Sequence, residues 1–207
     1  MSDWKECVVS LIDMIGIRDL ASGPKGAAST AMRKMHKTVA EEMRCGLPLH
    51  AYTYVWNDSV LLLAYLDKSH RPEAILREVD GLKRTLSRLG KSYAISIKGK
   101  AFPDLGMSPQ TDCGSRITLV RASSFAMANC FRVEEIIGKK LKRPWYVDSR
   151  LAKKIHTTQS YDKEPLDFMP GPEPRDVYVY RGYLWGRDGS DVDSPIRRGT
   201  KTRPRSR

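Results

Sequence analysis

The first apolar run of the chain is short, rich in valine and isoleucine, and ends close to an acidic residue. It covers Cys7 to Ile17, with Asp13 near its end and Gly16 shortly after. Runs of this length and composition are typical of buried strands. A carboxylate at the end of a buried strand is costly unless it is paired or holds a metal ion, although Asp is also a favoured cap residue. Asp13 is therefore either the cap of the next segment or a functional acid.

A second pattern places another acid at a tight turn. Two β-rich segments, Ala51–Trp56 and Ser59–Tyr65, are joined by Asn57 and Asp58, which is typical of a β-hairpin. Asn tolerates the left-handed backbone conformation that such turns require. The sequence thus predicts that Asp58 lies at the tip of a hairpin.

Helices are predicted on both sides of this hairpin. A loop at Arg18–Lys25 precedes the first helix, and Gly46 ends it. Apolar residues three and four positions apart give this helix a core-facing side: Met32, Met35, Val39 and Met43. The second helix is predicted over Pro72–Leu89, with Pro in its first turn and Gly90 at its end. Its apolar stripe is Ile75, Val79, Leu82, Leu86 and Leu89.

The later part of the chain alternates strands and helices less clearly. A strand at Ser92–Ile97 precedes a Gly/Pro-rich stretch from Lys98 to Gly114, which is predicted as loop. Ser123 or Ser124 is predicted to cap a helix that Gly138 ends. The remaining predicted elements are strands at Arg116–Arg121, Trp145–Val147 and Val177–Leu184, and a short helix at Ser149–Ile155.

This order of elements, β-α-β-β-α-β followed by β-α-β, is that of an α+β protein with a ferredoxin-like core and C-terminal additions. Together with two short motifs it resembles the class III nucleotidyl cyclases, the family of adenylate and guanylate cyclases. Asp13-Met14-Ile15-Gly16-Ile17 is similar to the family's first motif. Trp56-Asn57-Asp58, followed by an apolar strand, is similar to its second, with Asn57 in place of a glycine.

The resemblance implies a two-metal site. In this family both acids hold two divalent cations, so Asp13 and Asp58 would bind Mn²⁺ or Mg²⁺, ions that prefer oxygen ligands. The main-chain carbonyl of Met14 would be a further ligand. The amides of Ile15, Gly16 and Ile17 would lie against the triphosphate, since successive free N–H groups form an anion-binding nest.

The same resemblance implies which positions select the base. Adenylate cyclases have a lysine, and guanylate cyclases a glutamate, at the position held here by Tyr54. If Arg132 is the family's transition-state arginine, the second base-reading position falls at Arg121, seven residues before Ala128. A tyrosine narrows the pocket against a purine, and arginine donates to uracil carbonyls. This pattern looks like the pyrimidine cyclases of Pycsar antiphage defence and favours UTP over CTP.

Further roles follow from the family. Its acids come from one subunit, whereas the base reader and the helical arginine come from the other, so the resemblance implies a homodimer with shared sites. Arg132 has no Asn four residues before it, because Ala128 stands there and Asn129 is adjacent. Three cations are candidates for the triphosphate: Lys98, Lys100 and Arg181. A separate effector protein that binds the cyclic nucleotide is expected.

Composition adds limits to these predictions. A chain of 207 residues with 41% hydrophobic residues fits one domain, predicted at residues 1–186. The four cysteines have neither metal-site nor disulfide spacing, and the charged N-terminus does not resemble a signal peptide, so a cytoplasmic protein is expected. Half of the net charge of +12 lies in the last eleven residues. Residues 187–207 are therefore predicted to form a basic, disordered tail.

Two other functions are compatible with the sequence. A related palm-like enzyme, such as a diguanylate cyclase, would need paired acids at the hairpin, and Asn57-Asp58-Ser59 has only one. A catalytically decayed module that binds nucleotide or RNA through its basic surface is the second alternative. The presence of both Asp13 and Asp58 favours the enzyme over the decayed module.

Overall fold

The fold is taken from a computed structural model of the chain. It describes residues 4–17, 20, 22–44, 51–68, 70–101, 111–112, 118–119, 124–138, 145–157, 159–166, 175–180 and 183–185. The strands are β1 (Lys5–Met14), β2 (Ala51–Trp56), β3 (Ser59–Tyr65), β4 (Ser92–Ala101), β5 (Thr111–Asp112), β6 (Thr118–Leu119), β7 (Trp145–Asp148), β8 (Tyr161–Leu166) and β9 (Arg175–Tyr180). The helices are α1 (Ala27–Arg44), α2 (Pro72–Ser87), α3 (Phe125–Gly138) and α4 (Ser149–Ala152).

A seven-stranded sheet organises the molecule, with the strand order β2-β3-β1-β4-β7-β9-β8. The first four strands are antiparallel to their neighbours, and β1 lies between β3 and β4. This is the strand order of a ferredoxin-like βαββαβ unit, so the predicted α+β fold class is confirmed. Strand β7 then adds in parallel to β4, β9 pairs antiparallel with β7, and β8 pairs antiparallel with β9.

The sheet has helices on both faces because its central strands alternate between two apolar surfaces. On one face, α1 and α2 pack over even-numbered positions of β1 such as Val8 and Ile12. On the other face, α3 packs over odd-numbered positions such as Val9 and Leu11. Asp13 continues the odd-numbered series, so its side chain belongs to the α3 face.

Close contact between α3 and the sheet depends on a glycine in β4. A Cβ atom added at Gly99 would stand 2.7 Å from the Cβ atom of Ala126 on α3, a distance that two side chains cannot share. At the start of the helix, Ser124 Oγ accepts a hydrogen bond from the Met127 amide at 3.2 Å, which confirms the predicted cap. Both features fix the position of α3 against β1 and β4.

Several predicted boundaries change. Both hairpin strands have the predicted limits, whereas α2 ends at Ser87 and the last strand, β9, lies at Arg175–Tyr180. The prediction of loop from Lys98 onwards is wrong for its first four residues, because β4 pairs with β1 as far as Ala101. Strand β8 was not predicted. None of the described helices combines the length and apolar character that a bilayer crossing requires.

Candidate active site

The two predicted acids lie side by side at one end of the sheet. Asp13 is the penultimate residue of β1 and pairs with Ser59, the residue that follows Asp58. The Met14 amide donates a hydrogen bond of 3.0 Å to the main-chain carbonyl of Asp58. This bond ties the end of β1 to the hairpin turn, and it brings the acids from two separate segments together.

The hairpin turn that carries Asp58 is held in two further ways. Asn57 has a positive φ of 48°, which confirms that Asn supplies the left-handed conformation in place of glycine. From α1, the ring Nε2 of His36 lies 2.7 Å from the Asn57 carbonyl oxygen, a distance at which an Nε2–H group donates a hydrogen bond. The helix, the turn and the end of β1 thus form one connected frame around Asp58.

Hydroxyl groups flank Asp13 on both neighbouring strands. Ser59 pairs with Asp13 from β3, and its Oγ donates a hydrogen bond of 2.5 Å to Asp13 Oδ1. Tyr93 pairs with Asp13 from β4, so the two side chains lie on the same face of the sheet. The Tyr93 hydroxyl also donates a hydrogen bond of 3.1 Å to Oε1 of Glu134 on α3.

The environment of the Asp13 carboxyl group disfavours its charged form. Burial raises the pKa of its carboxyl group to about 6, and the negative charges of Asp58 and Glu134 act in the same direction. The hydrogen bond from Ser59 only partly opposes this rise in the pKa. Burial, followed by the charges of Asp13 and Glu134, holds the pKa of the Tyr93 hydroxyl above its usual range, so Tyr93 stays a hydrogen-bond donor.

The carboxylate oxygens of Asp13 and Asp58 fit a divalent cation. Two neighbouring carboxylates, both half-buried, repel each other, and a bound cation would remove this repulsion. Within the described ranges, no group of three or more His, Cys, Asp and Glu side chains is arranged to hold a metal ion. Mg²⁺ typically uses one or two carboxylates together with substrate phosphates and water rather than a complete protein cage. Asp13 and Asp58 match that mode of binding.

The segment after Asp13 modifies one prediction. The Ile15 amide donates a hydrogen bond of 2.8 Å to the Lys91 carbonyl oxygen, so it is already engaged by the protein. Gly16 has a φ of 93°, a conformation that favours glycine, and the side chain of Ile17 is buried. The predicted contact with phosphate therefore stays a prediction for the Gly16 and Ile17 amides.

Tyr54 lies on the same face of the sheet as Asp13. It pairs with Leu61 in β3, and Leu61 pairs with Leu11 in β1, so Tyr54 is two strands across and two residues along from Asp13. Strand spacings place the two Cα atoms roughly 12 Å apart. The Tyr54 ring is half-buried against the apolar surface under α3. The second predicted base reader, Arg121, lies outside the described residues.

Arg132 points away from the sheet of its own chain. Helix α3 buries Ala126, Cys130 and Val133, whereas Ala128 and Arg132 lie on its exposed side. Since residues four apart share a helix face, these two positions are presented together to the outside. Arg132 is thus directed away from the sheet face of its own Asp13, and the predicted action on a second subunit stays a prediction.

The predicted triphosphate cations do not gather near the acids in one chain. Lys98 is five residues along β4 from Tyr93, roughly 17 Å, and its Nζ lies 2.7 Å from Oε1 of Glu6. Lys100 pairs with Glu6 in the sheet, farther still from Asp13. The register of β4 therefore removes both lysines from the site of their own chain. Arg181 lies outside the described residues.

Comparisons with known proteins give structural matches only. No family model and no curated protein matches the sequence. The guanylyl cyclase Cya2 aligns over 88% of this chain and 94% of its own, with a TM-score of 0.56 and 9% identity. The chain has the class III nucleotidyl cyclase fold.

Two further cyclase structures show the same fold. A bacterial light-regulated adenylyl cyclase covers 87% of this chain and 93% of its own at a TM-score of 0.57 and 12% identity. The dimeric guanylyl cyclase domain of the RhoGC fusion protein from Blastocladiella emersonii covers 89% and 100%, with a TM-score of 0.56 and 12% identity. At these identities the cyclase fold is shown, and the activity of this chain is a separate question.

Four residues around the acids were missed at the sequence level: His36, Ser59, Tyr93 and Glu134. Ser59 adjoins Asp58, and its hydroxyl could have been noticed as a neighbour of the second motif. Tyr93 and Glu134 carry no motif, because the position of Tyr93 beside Asp13 depends on strand register and the contact of Glu134 with Tyr93 depends on the placement of α3. His36 contacts the hairpin turn across 21 positions in sequence, and no local pattern indicates such a contact.

Proposed function

We propose that this protein is a pyrimidine nucleotide cyclase that converts UTP to 3′,5′-cyclic UMP and pyrophosphate. The observation that carries the proposal is the proximity of Asp13, at the end of β1, to Asp58, at the tip of the β2–β3 hairpin, on the cyclase fold. Support from similar structures includes a guanylate cyclase domain from Catenaria anguillulae in complex with GTP, which matches with a TM-score of 0.54 and 11% identity.

Cyclisation is an in-line attack of the 3′ hydroxyl on the α-phosphorus, with pyrophosphate as leaving group. Two divalent cations, Mn²⁺ or Mg²⁺, would lower the pKa of the attacking hydroxyl and neutralise charge on the phosphates. In this chain Asp13, Asp58 and the Met14 carbonyl would hold them. Ser59 keeps the Asp13 carboxylate oriented, and His36 fixes the turn that presents Asp58.

The remaining proposed contacts bind the substrate. The Gly16 and Ile17 amides would donate hydrogen bonds to the phosphates. Tyr54 would border the base pocket and restrict it to a pyrimidine, and Arg121 would donate to the uracil carbonyl oxygens. Arg132, from the second subunit, would face the negative charge that develops in the transition state.

This arrangement requires a homodimer with two shared sites. The exposed position of Arg132 on α3 is compatible with action across subunits, and one of the similar structures is a guanylyl cyclase domain with a non-canonical dimer. The product would be a second messenger in antiphage defence. It would be made in the cytoplasm and read by a separate effector protein that binds the cyclic nucleotide.

The direct test offers ATP, GTP, CTP and UTP together at equal concentrations, with Mn²⁺, and identifies the products by mass spectrometry. We expect cyclic UMP to dominate, and we expect Asp58→Asn to abolish it. Asp67→Asn, which changes an exposed Asp elsewhere, is the matched control and should retain activity. Cyclic AMP or cyclic GMP as the main product would overturn the base assignment to Tyr54 and Arg121.

The absence of any product would argue against the cyclase itself. In that case a metal-free nucleotide- or RNA-binding module would become the better account, and its affinity for RNA would fall steeply with salt. Retained Mn²⁺ binding by the inactive protein would locate the failure in the substrate pocket rather than in the paired acids.

A further inference from the structure

Lysine side chains gather at the end of the sheet that is opposite to the two candidate metal ligands. Glu6, near the start of β1, is seven residues from Asp13, which is roughly 23 Å along the strand. Lys98 Nζ donates a hydrogen bond of 2.7 Å to Oε1 of Glu6, and this bond lowers the pKa of the Glu6 carboxyl group. The positive charges of Lys154 and Lys100 lower this pKa further. One exposed carboxylate therefore has three ammonium groups close to it.

Three lysines at this end are available to a ligand. Lys98 is engaged by Glu6. Lys100 and Lys154 are exposed and form no ion pair within the part of the chain that the structure describes, and the same holds for Lys5, which adjoins Glu6 in β1. Neighbouring positive charges repel each other, and an anionic ligand would relieve that repulsion. This end of the sheet thus presents an excess of positive charge.

Two exposed aromatic side chains lie at the same end. Trp4 directly precedes β1, and Phe125 begins α3 directly after Ser124. The backbone of Ser124 bridges to the last residue of β4, and its Oγ donates a hydrogen bond of 3.1 Å to the Lys100 carbonyl oxygen. The rings of Trp4 and Phe125 stack, with their centroids 4.8 Å apart and 26° between their planes. The aromatic pair therefore stands beside the lysines at the ends of β1 and β4.

The Phe125 ring is well placed to stack on a further ring. It is 63% exposed, the highest value among the large apolar side chains of the described residues, and Trp4 covers one of its faces. Proteins bind single-stranded nucleic acids by stacking bases on such rings beside a positively charged track. A duplex keeps its bases stacked inside and would leave the ring unused. A lipid surface is usually bound by the apolar face of an amphipathic helix, whereas these two rings lie at a strand start and a helix start.

We infer that this end of the sheet binds single-stranded nucleic acid. One base stacks on the Phe125 ring, which Trp4 supports from behind. Backbone phosphates contact the ammonium groups of Lys5, Lys100 and Lys154. The surface is separate from the candidate active site, because most of β1 lies between the two, and the inference does not depend on the proposed cyclase activity.

The test is the fluorescence anisotropy of a short labelled oligouridine with a 5′ hydroxyl end, titrated with the full chain in EDTA at several salt concentrations. Two triple variants each replace three exposed lysines by glutamine. The patch variant carries Lys5→Gln, Lys100→Gln and Lys154→Gln, and the control variant carries Lys25→Gln, Lys34→Gln and Lys37→Gln. Each phosphate contact of a single strand contributes about 0.7 to the slope of log affinity against log salt. The patch variant should therefore lower that slope by about 2, and the control variant should leave it nearly unchanged.

A second pair of variants tests the stacking. Phe125→Leu keeps an apolar side chain but removes the ring, and it should weaken oligouridine binding roughly 5-fold to 100-fold, the range for the loss of one stacked base. Tyr161→Leu removes another exposed aromatic ring, in β8, and should bind like the wild type. Oligodeoxythymidine in place of oligouridine distinguishes RNA from single-stranded DNA. Binding of either one, with this dependence on Phe125, supports the inference.

Several results would overturn the inference. Equal loss of affinity in the patch and control variants would assign the binding to net charge alone. Wild-type affinity in Phe125→Leu, or a duplex bound as tightly as the single strand, would contradict stacking. Binding of phosphatidylserine vesicles but of neither oligonucleotide would identify a membrane surface instead. Because the assay contains neither UTP nor a divalent cation, its outcome is independent of whether the protein makes cyclic UMP.

Discussion

Replacement of Asp13 by Asn should stabilise the metal-free protein while it abolishes activity. Asn has the shape of Asp and retains an oxygen that can accept the Ser59 hydrogen bond, but it carries no charge. Burial raises the pKa of the Asp13 carboxyl group from 3.8 to about 6. The folded state therefore binds this proton more tightly than the unfolded chain does, and ionisation of Asp13 at neutral pH opposes folding.

The size of this effect follows from the difference in pKa. At 1.36 kcal/mol per unit, the shift corresponds to about 3 kcal/mol of unfolding free energy above pH 6. Because the folded pKa is the higher one, the contribution of Asp13 to stability is fully present below pH 4 and is lost as the pH rises through 6. The stability difference between Asp13→Asn and wild type should grow from near zero at pH 4 to about 3 kcal/mol at pH 7.5.

The assay is urea unfolding followed by circular dichroism, in EDTA, at matched protein concentrations between pH 4 and 8. Addition of Mn²⁺ at pH 7.5 should raise the unfolding free energy of the wild type, since a ligand of the native state stabilises it by mass action. The same addition should have little effect on Asp13→Asn, and Asp67→Asn should follow the wild type throughout. An Asp13→Asn variant that is no more stable than wild type at pH 7.5 in EDTA would contradict a destabilising charge at Asp13.

Three other predictions concern the dimer, a buried lysine and the packing of α3 against β4. Asp13→Ala mixed with Arg121→Ala, under conditions of subunit exchange, should recover part of the activity that each lacks alone, and no recovery would contradict shared sites. Lys83 is 2% exposed, and burial lowers the pKa of its ammonium group from 10.5 to about 8. Between pH 8 and pH 10.5 the unfolded chain binds more protons than the folded protein does. The free energy of unfolding measured in urea should therefore rise with pH by up to about 3 kcal/mol. The Lys83→Met variant should not show this rise. Gly99→Ala should cost about 1–3 kcal/mol in the same assay, because its Cβ would overlap Ala126, and a neutral result would contradict that close packing.

The sequence-level predictions succeeded where local chemistry decides the structure. The hairpin limits followed from two β-rich segments joined by Asn57-Asp58, and Asn57 adopts the positive φ that this turn needs. The strand order of the core followed from the order of its elements. Asp13 and Asp58 were singled out by two motifs that resemble those of the cyclases, and the fold brings the two segments together. Their role as cation ligands stays a prediction.

The sequence-level predictions failed where pairing between distant parts of the chain determines the structure. Strand β8, with the sequence Tyr-Asp-Lys-Glu-Pro-Leu, is polar and contains Pro165, and it pairs with β9 at the outer end of the sheet order. Proline is tolerated in such an edge strand, but the composition does not indicate one. Lys98, one of three candidate cations for the triphosphate, lies away from the acids of its own chain, because the register of β4 against β1 puts it beside Glu6.

In the proposed reaction, the 3′ hydroxyl of UTP attacks the α-phosphorus at a site held by Asp13 and Asp58. Pyrophosphate release from UTP and from 3′-deoxy-UTP, with cyclic UMP quantified in the same reactions, distinguishes this attack from hydrolysis. We predict one pyrophosphate per cyclic UMP from UTP, and no pyrophosphate from the 3′-deoxy analogue, which binds but lacks the nucleophile. Pyrophosphate release from 3′-deoxy-UTP at the rate seen with UTP would show that water is the nucleophile, and it would contradict cyclisation.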